Sequence, residues 1–141
     1  MNSSAAATTT ATATTTTATA AATAAATAPV AIPADDLRIG ESRTLRFEGA
    51  RYGSNVSFFL VTSDPGQGPG LHRHPYDETW SVLEGEATIV VGDRTFVARA
   101  GDTAVAPADT WHRFTNTGTG TLRIVCIHAS AVMIQENASE D

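Results

Sequence analysis

Lysine is absent from this chain of 141 residues, because all nine of its basic side chains are arginine. Without a side-chain amine there is no Schiff-base chemistry and no phosphate-loop lysine. Cysteine is almost absent too: Cys126 stands alone. Intramolecular disulfides and cysteine-cluster zinc sites are thereby excluded, and a reducing, cytoplasmic address is expected. No apolar run approaches the roughly 18 residues that a spanning helix requires, so no membrane association is expected. Charge is missing from everything before Asp35, and beyond it 15 acidic residues face 9 basic ones for a net −6. Nucleic acid and anionic membranes reward basic patches, so neither is an expected partner.

What fills the uncharged start is a tract from Ala5 to Ala28 made only of alanine and threonine, 13 of one and 11 of the other. Threonine is a mediocre helix former, and the tract has no apolar stripe and no charged pair to offset the entropy of ordering it. Residues 1–34 therefore read as a disordered Ala/Thr-rich tail, lacking the basic start and strongly apolar middle of a secretory signal. An O-glycosylated stalk is one alternative, and a translation start at Val30 that leaves the tract untranslated is the other. Residues 35–141 then supply one domain and no more.

Within that domain no stretch of ten residues shows helical periodicity. The pattern is of short β segments: Arg43–Glu48, Asn55–Thr62, Glu78–Leu83, Glu86–Val91, Arg94–Arg99, Thr103–Ala106, His112–Asn116 and Thr121–Ala129. Glycine, asparagine and aspartate turns punctuate them, and Gly92-Asp93 between two apolar segments is a two-residue hairpin signal. Eight closely spaced strands predict an all-β antiparallel sandwich or small barrel.

Three of the four histidines and one glutamate form a pattern. His72 and His74 are one residue apart, so on an extended chain their imidazoles share a face. Glu78, four residues further on, returns to that face if the intervening Pro75-Tyr76-Asp77 turn preserves the phase, and His112 opens a later strand. Imidazoles and a carboxylate brought together make a first-row transition-metal site.

These residues resemble the two motifs of the cupin superfamily. The first reads Gly66, five residues, His72, Arg73, His74, three residues, Glu78, six residues, Gly85; the second reads Gly101, five residues, Pro107, Ala108, Asp109, two residues, His112, three residues, Asn116. Every fixed position is filled except that Asp109 stands where the family has glycine, a turn position aspartate also tolerates. The resemblance implies a small jelly-roll barrel holding one divalent metal through His72, His74, Glu78 and His112, with up to two coordination positions open. Fe(II) or Mn(II) is the metal such cupins most often use; Zn(II), Ni(II) and Cu(II) suit the same donors.

Alternation from Glu78 sends Trp80 inward, and alternation from His112 sends Phe114 and Asn116 inward; with Tyr76 at the mouth these are the candidate substrate-pocket residues. Ordinary barrel core is the alternative for Trp80 and Phe114. In the last strand Leu122, Ile124, Cys126 and His128 should face in. His128 is then a candidate catalytic acid or base, the alternative being a strand-end imidazole satisfied by backbone. Cys126 reads as a small buried hydrophobe and Arg73 as solvated. The expected function is a metal-dependent enzyme acting on a small organic molecule, by dioxygenase-type oxidation or by isomerisation or cyclisation. A non-catalytic, metal-dependent binding or sensing module is the alternative. The segment Phe58 to Val61, apolar on both faces, exceeds what one interior can bury and predicts a homodimer.

Overall fold

Two antiparallel five-stranded sheets enclose the interior in a computed structural model that describes residues 28–140. The first sheet runs in the order β1 (Leu45–Phe47), β2 (Ser57–Ser63), β9 (Leu122–His128), β4 (Glu78–Glu84), β7 (Thr103–Ala106). The second runs β10 (Glu136–Asn137), β3 (His72–Arg73), β8 (His112–Asn116), β5 (Glu86–Val91), β6 (Arg94–Arg99). The all-β architecture of antiparallel sheets is as the sequence predicts. The expected tail, residues 1–34, lies for the most part outside the described residues.

All eight predicted strands are present, three of them trimmed by a residue or two, with β2 and β4 running one residue further, to Ser63 and Glu84. Two further strands, β3 and β10, escape sequence reading because two residues are too few to show alternation. They form because partners lie alongside: His72 sits opposite His112, and Glu136 opposite Arg73. Two short 3-10 turns, Ala34–Leu37 and Gly49–Tyr52, complete the elements. The Gly92-Asp93 hairpin forms as predicted, with Val91 opposite Arg94 and Gly92 at a φ of 57°.

Motif residues outside the donor set shape the backbone. Gly85 is the single residue between β4 and β5, where the chain leaves one sheet for the other. Its φ is 85°, and a Cβ there would lie 2.5 Å from the Thr121 carbonyl oxygen. Asp109 occupies the left-handed region at φ 59° as the glycine of the motif would, and its N–H donates to the His74 carbonyl at 2.7 Å. The substituted position thus still closes its loop onto a candidate ligand.

Strand alternation packs Trp80, Val82, Ile89, Ala98, Phe114, Leu122, Ile124 and Cys126 between the sheets. Each large side chain among them contributes roughly 1.5–3 kcal/mol by leaving water. On the outward face of the first sheet, register aligns Phe47, Phe58, Ile127, Thr79 and Val105 in one cross-strand row. Phe47 stacks on both Phe58 and Tyr52, which half-buries that end of the row, whereas Ile127 and Val105 at the other end stay exposed.

Candidate metal centre

Two cross-strand pairs face each other across the interior. His72 and His112 are register partners in the second sheet, and Glu78 and His128 are register partners in the first. His74 lies in the crossover from β3 to β4 that links the two sheets. The alternation expected to carry the chain from His74 to Glu78 is therefore corrected. The two residues meet because the chain changes sheets between them, not because one strand keeps its phase.

The donor atoms of His72, His74, Glu78 and His112 all lie within 4.8 Å of one another, and all four residues are buried. Each imidazole is oriented through its far nitrogen. Nδ1 of His72 donates to the Gly70 carbonyl at 2.7 Å, that of His74 to the Ile134 carbonyl at 2.7 Å, and that of His112 to the Thr110 carbonyl at 2.8 Å. With the proton committed to Nδ1, a neutral imidazole presents a bare Nε2 lone pair to the centre. His74 Nε2 and His112 Nε2 approach Glu78 Oε2 at 3.0 and 2.8 Å. Lone pairs facing a carboxylate at such distances need a cation among them, either protons or a metal. Three neutral nitrogens and one carboxylate are a suitable donor set for a divalent transition ion.

The electrostatics agree with that geometry. Burial works to raise the Glu78 pKa, but the imidazoles of His112, His128 and His74 outweigh it and hold the carboxyl well below its usual range. Burial lowers the pKa of His72, with the Gly70 carbonyl opposing. For His74 burial is again the largest single influence, yet Glu78 and the Ile134 carbonyl together overcome it and raise the pKa.

His128 differs from the other three. It is buried at 2% exposure, its Nδ1 lies 2.9 Å from the Tyr76 hydroxyl, and its Nε2 stands 3.4 Å from Glu78 Oε1. The Ile134 carbonyl already accepts from His74, and the Tyr76 hydroxyl lies closer to His128 than to that carbonyl, which is 3.3 Å away. The hydroxyl is therefore assigned as the donor to Nδ1, leaving the imidazole proton on Nε2, directed at Glu78. In this tautomer His128 is a proton donor beside the cluster and has no lone pair for a metal.

An open cavity of about 340 Å³ reaches the centre, lined at that end by His72, Glu78 and His128 and further on by Phe59, Val61, Phe114, Cys126, Pro69 and Ser63. Of the expected pocket residues, Phe114 lines it and three do not. Trp80 is buried in the core with its ring edge toward His112, 5.2 Å between centroids. Tyr76 stacks on His74 and hydrogen-bonds outside the cavity wall. Asn116 is spent on backbone, its Nδ2 donating to the Ser63 and Gly120 carbonyls and its Oδ1 accepting from the Gly118 N–H. Cys126 is buried, and burial together with the Glu78 charge pushes its thiol well up, so it forms wall and not nucleophile. Arg73 is not simply solvated: it pairs with Glu136 at 2.8 Å and lies over the Trp111 ring.

Sequence reading did not find the C-terminal strap. Ile134 holds both His74 and Tyr76 through its backbone, and Glu136 and Asn137 pair with β3 beside His72. The sequence does not mark this segment, because its contacts to His74 and Tyr76 run through backbone. Deleting residues 132–141 is expected to weaken metal binding by roughly 10–100-fold, the usual cost of losing partners that orient ligands. Chelator competition against the full-length chain reads the change, and unaltered affinity would show that the strap does not orient the ligands.

Residues 59–128 match the family model described as Cupin domain. No curated protein matches the chain. Among solved structures, the Lactobacillus farciminis oxalate decarboxylase formate complex superposes with a TM-score of 0.64 at 24% identity, over 73% of this chain and 34% of that one. The S161A mutant of Bacillus subtilis oxalate decarboxylase gives 0.65 at 23% identity, over 74% and 30%. An oxalate oxidase gives 0.61 at 23% identity, over 67% and 53%. This chain thus spans about a third of each decarboxylase and about half of the oxidase.

Proposed function

The chain belongs to the cupin superfamily, and from that premise we propose that it is a metal-dependent enzyme acting on a small organic molecule held in the barrel, by dioxygenase-type oxidation or by isomerisation or cyclisation. The observation that carries this reading is the open cavity ending on His72, Glu78 and His128. A site that only tied the barrel together would be closed. The ion would be held by His72, His74, Glu78 and His112, with Fe(II) or Mn(II) favoured and Zn(II), Ni(II) or Cu(II) able to use the same donors. Mn(II) centres are named for the Bacillus subtilis oxalate decarboxylase among the similar structures, which supports manganese. Such an ion supplies Lewis acidity, and iron or manganese also redox reactivity toward dioxygen.

The chain's own part is proton handling. His128 lines the cavity with its Nε2 proton beside Glu78, and Tyr76 fixes its tautomer from behind. A substrate in the cavity meets that imidazole as an acid or base beside the centre. The same reading places a second copy of the chain against the outward row around Ile127 and Val105 as a homodimer, and the protein in the cytoplasm.

The test uses metal-loaded protein and a panel of enolisable ketones, following deuterium uptake from D2O by NMR and dioxygen consumption. The wild type is expected to accelerate one of the two processes. His128→Gln is expected to lower that rate by about 10²–10⁴-fold with metal content unchanged. Loaded wild type that accelerates neither process, and is indifferent to His128→Gln, would replace the enzyme reading with that of a binding or sensing module.

A further inference from the structure

The far end of the cavity carries an unexplained polar atom. Ser63 is among the residues that line the wall, it is 5% exposed, and its buried hydroxyl has no hydrogen-bond partner. A buried hydroxyl left unpaired costs roughly 1–3 kcal/mol, so it normally has a partner. The backbone beneath it is held firmly: the Ser63 carbonyl accepts from Asn116 Nδ2 at 3.0 Å, and that amide is anchored in turn to Gly118 and Gly120. The backbone that carries the hydroxyl is therefore fixed in place.

Between Ser63 and the candidate metal centre the wall is mostly apolar, with the uncharged Ser42, Thr44, Thr62, Gln67 and Gln135 also lining the cavity. Ser63 pairs with Leu122 and Ser57 with His128, so the two ends stand six residues apart along β2. At about 3.3 Å per residue that is an upper limit of roughly 20 Å. Phe59, Val61, Cys126 and Phe114 line the interval, and no arginine lines the cavity. A second anionic group on a ligand would find no partner there, whereas a neutral hydroxyl or carbonyl would satisfy Ser63.

Building on the metal-dependent reading above, we infer that the cavity takes an elongated, uncharged-bodied molecule: an oxygen-chelating head at the metal, an apolar middle, and a neutral hydrogen-bonding group at Ser63. Ser63 is then a specificity residue for the distal end of the ligand, and Asn116 a positioning residue that holds it.

Alkyl hydroxamates, whose paired oxygens chelate divalent metals, serve as probes. A series of increasing chain length, each length ending in methyl, hydroxyl or carboxylate, is titrated by calorimetry into the full-length manganese-loaded protein. At one chain length the terminal hydroxyl is expected to tighten binding about tenfold over methyl, and the terminal carboxylate to weaken it. Ser63→Ala, which removes only an unpartnered atom, is expected to erase the hydroxyl preference and leave the methyl-ended probe within about twofold of its wild-type affinity. A preference that survives Ser63→Ala, no preference at any length, or tightest binding by the carboxylate would each overturn the inference. Elemental analysis of the same samples separates the two levels. Protein that takes up no metal refutes the metal reading and this inference with it, while loaded protein that binds the short probe but ignores the terminal group refutes this inference alone.

Discussion

Replacing His112 with alanine is expected to abolish stoichiometric metal binding, lowering affinity by about 10³-fold or more. The comparison is with the roughly 10–100-fold that loss of an orienting partner costs, since His112 is placed to be a ligand itself. Its Nε2 lies 2.8 Å from Glu78 Oε2 in a cluster that is closed to water on that side. Removing one of the four donors leaves three in a group that has no fifth member among the described residues. Elemental analysis after dialysis measures metal per chain, and unchanged stoichiometry in His112→Ala would sink the assignment of the centre. The wild-type affinity should also depend on pH with a definite sign. His74 has a pKa raised above its ordinary 6.5 in the metal-free protein, so below that raised value a proton must leave before metal enters. Affinity is therefore expected to fall by about tenfold per pH unit as pH drops through that point, and to level off above it.

Gly85→Ala is expected to be among the most destabilising single methyl additions available to this chain, at roughly 3 kcal/mol or more. Two costs combine. The residue sits at φ 85°, where a side chain is strained by about 1–2 kcal/mol, and the new methyl would press within 2.5 Å of the Thr121 carbonyl. Backbone on both sides belongs to strands in different sheets, so neither can retreat without breaking a ladder. For a domain of this size the loss corresponds to a fall in Tm upward of about 10 °C. Gly101→Ala separates the two causes: φ is 93°, but nothing lies within 4 Å of the added atom, so only the strain of about 1–2 kcal/mol should appear. Urea titration of both variants measures the difference. Equal losses would mean that strain alone, and not the sheet-to-sheet crossing, makes Gly85 necessary.

The strand pattern and the donor set were legible in the sequence because both are local. Alternation with a period of two decides which side of a strand is buried, and it correctly turned Glu78, Trp80, Phe114, Asn116, Cys126 and His128 inward. The spacing of His72, His74, Glu78 and His112 survives as a pattern because each residue stands at a strand end or crossover whose length the barrel constrains. Alternation says which way a side chain points, but not what it meets. Trp80 and Asn116 point inward yet serve the core and a loop, because the cavity lies nearer β2 than β7.

Local pattern by itself pointed to an all-β fold and motif spacing to a resemblance with the cupins, through three imidazoles and a carboxylate, while composition excluded lysine chemistry and intramolecular disulfides. Tertiary structure alone decided how those groups are used. The pairing of Glu78 with His128 depends on register between two strands far apart in the chain. The tautomers depend on carbonyls of Gly70, Thr110 and Ile134, backbone groups that carry no residue signature. The empty-handed hydroxyl of Ser63 is visible only once its surroundings exist, since an unsatisfied group is a property of what is near it and not of the residue that bears it.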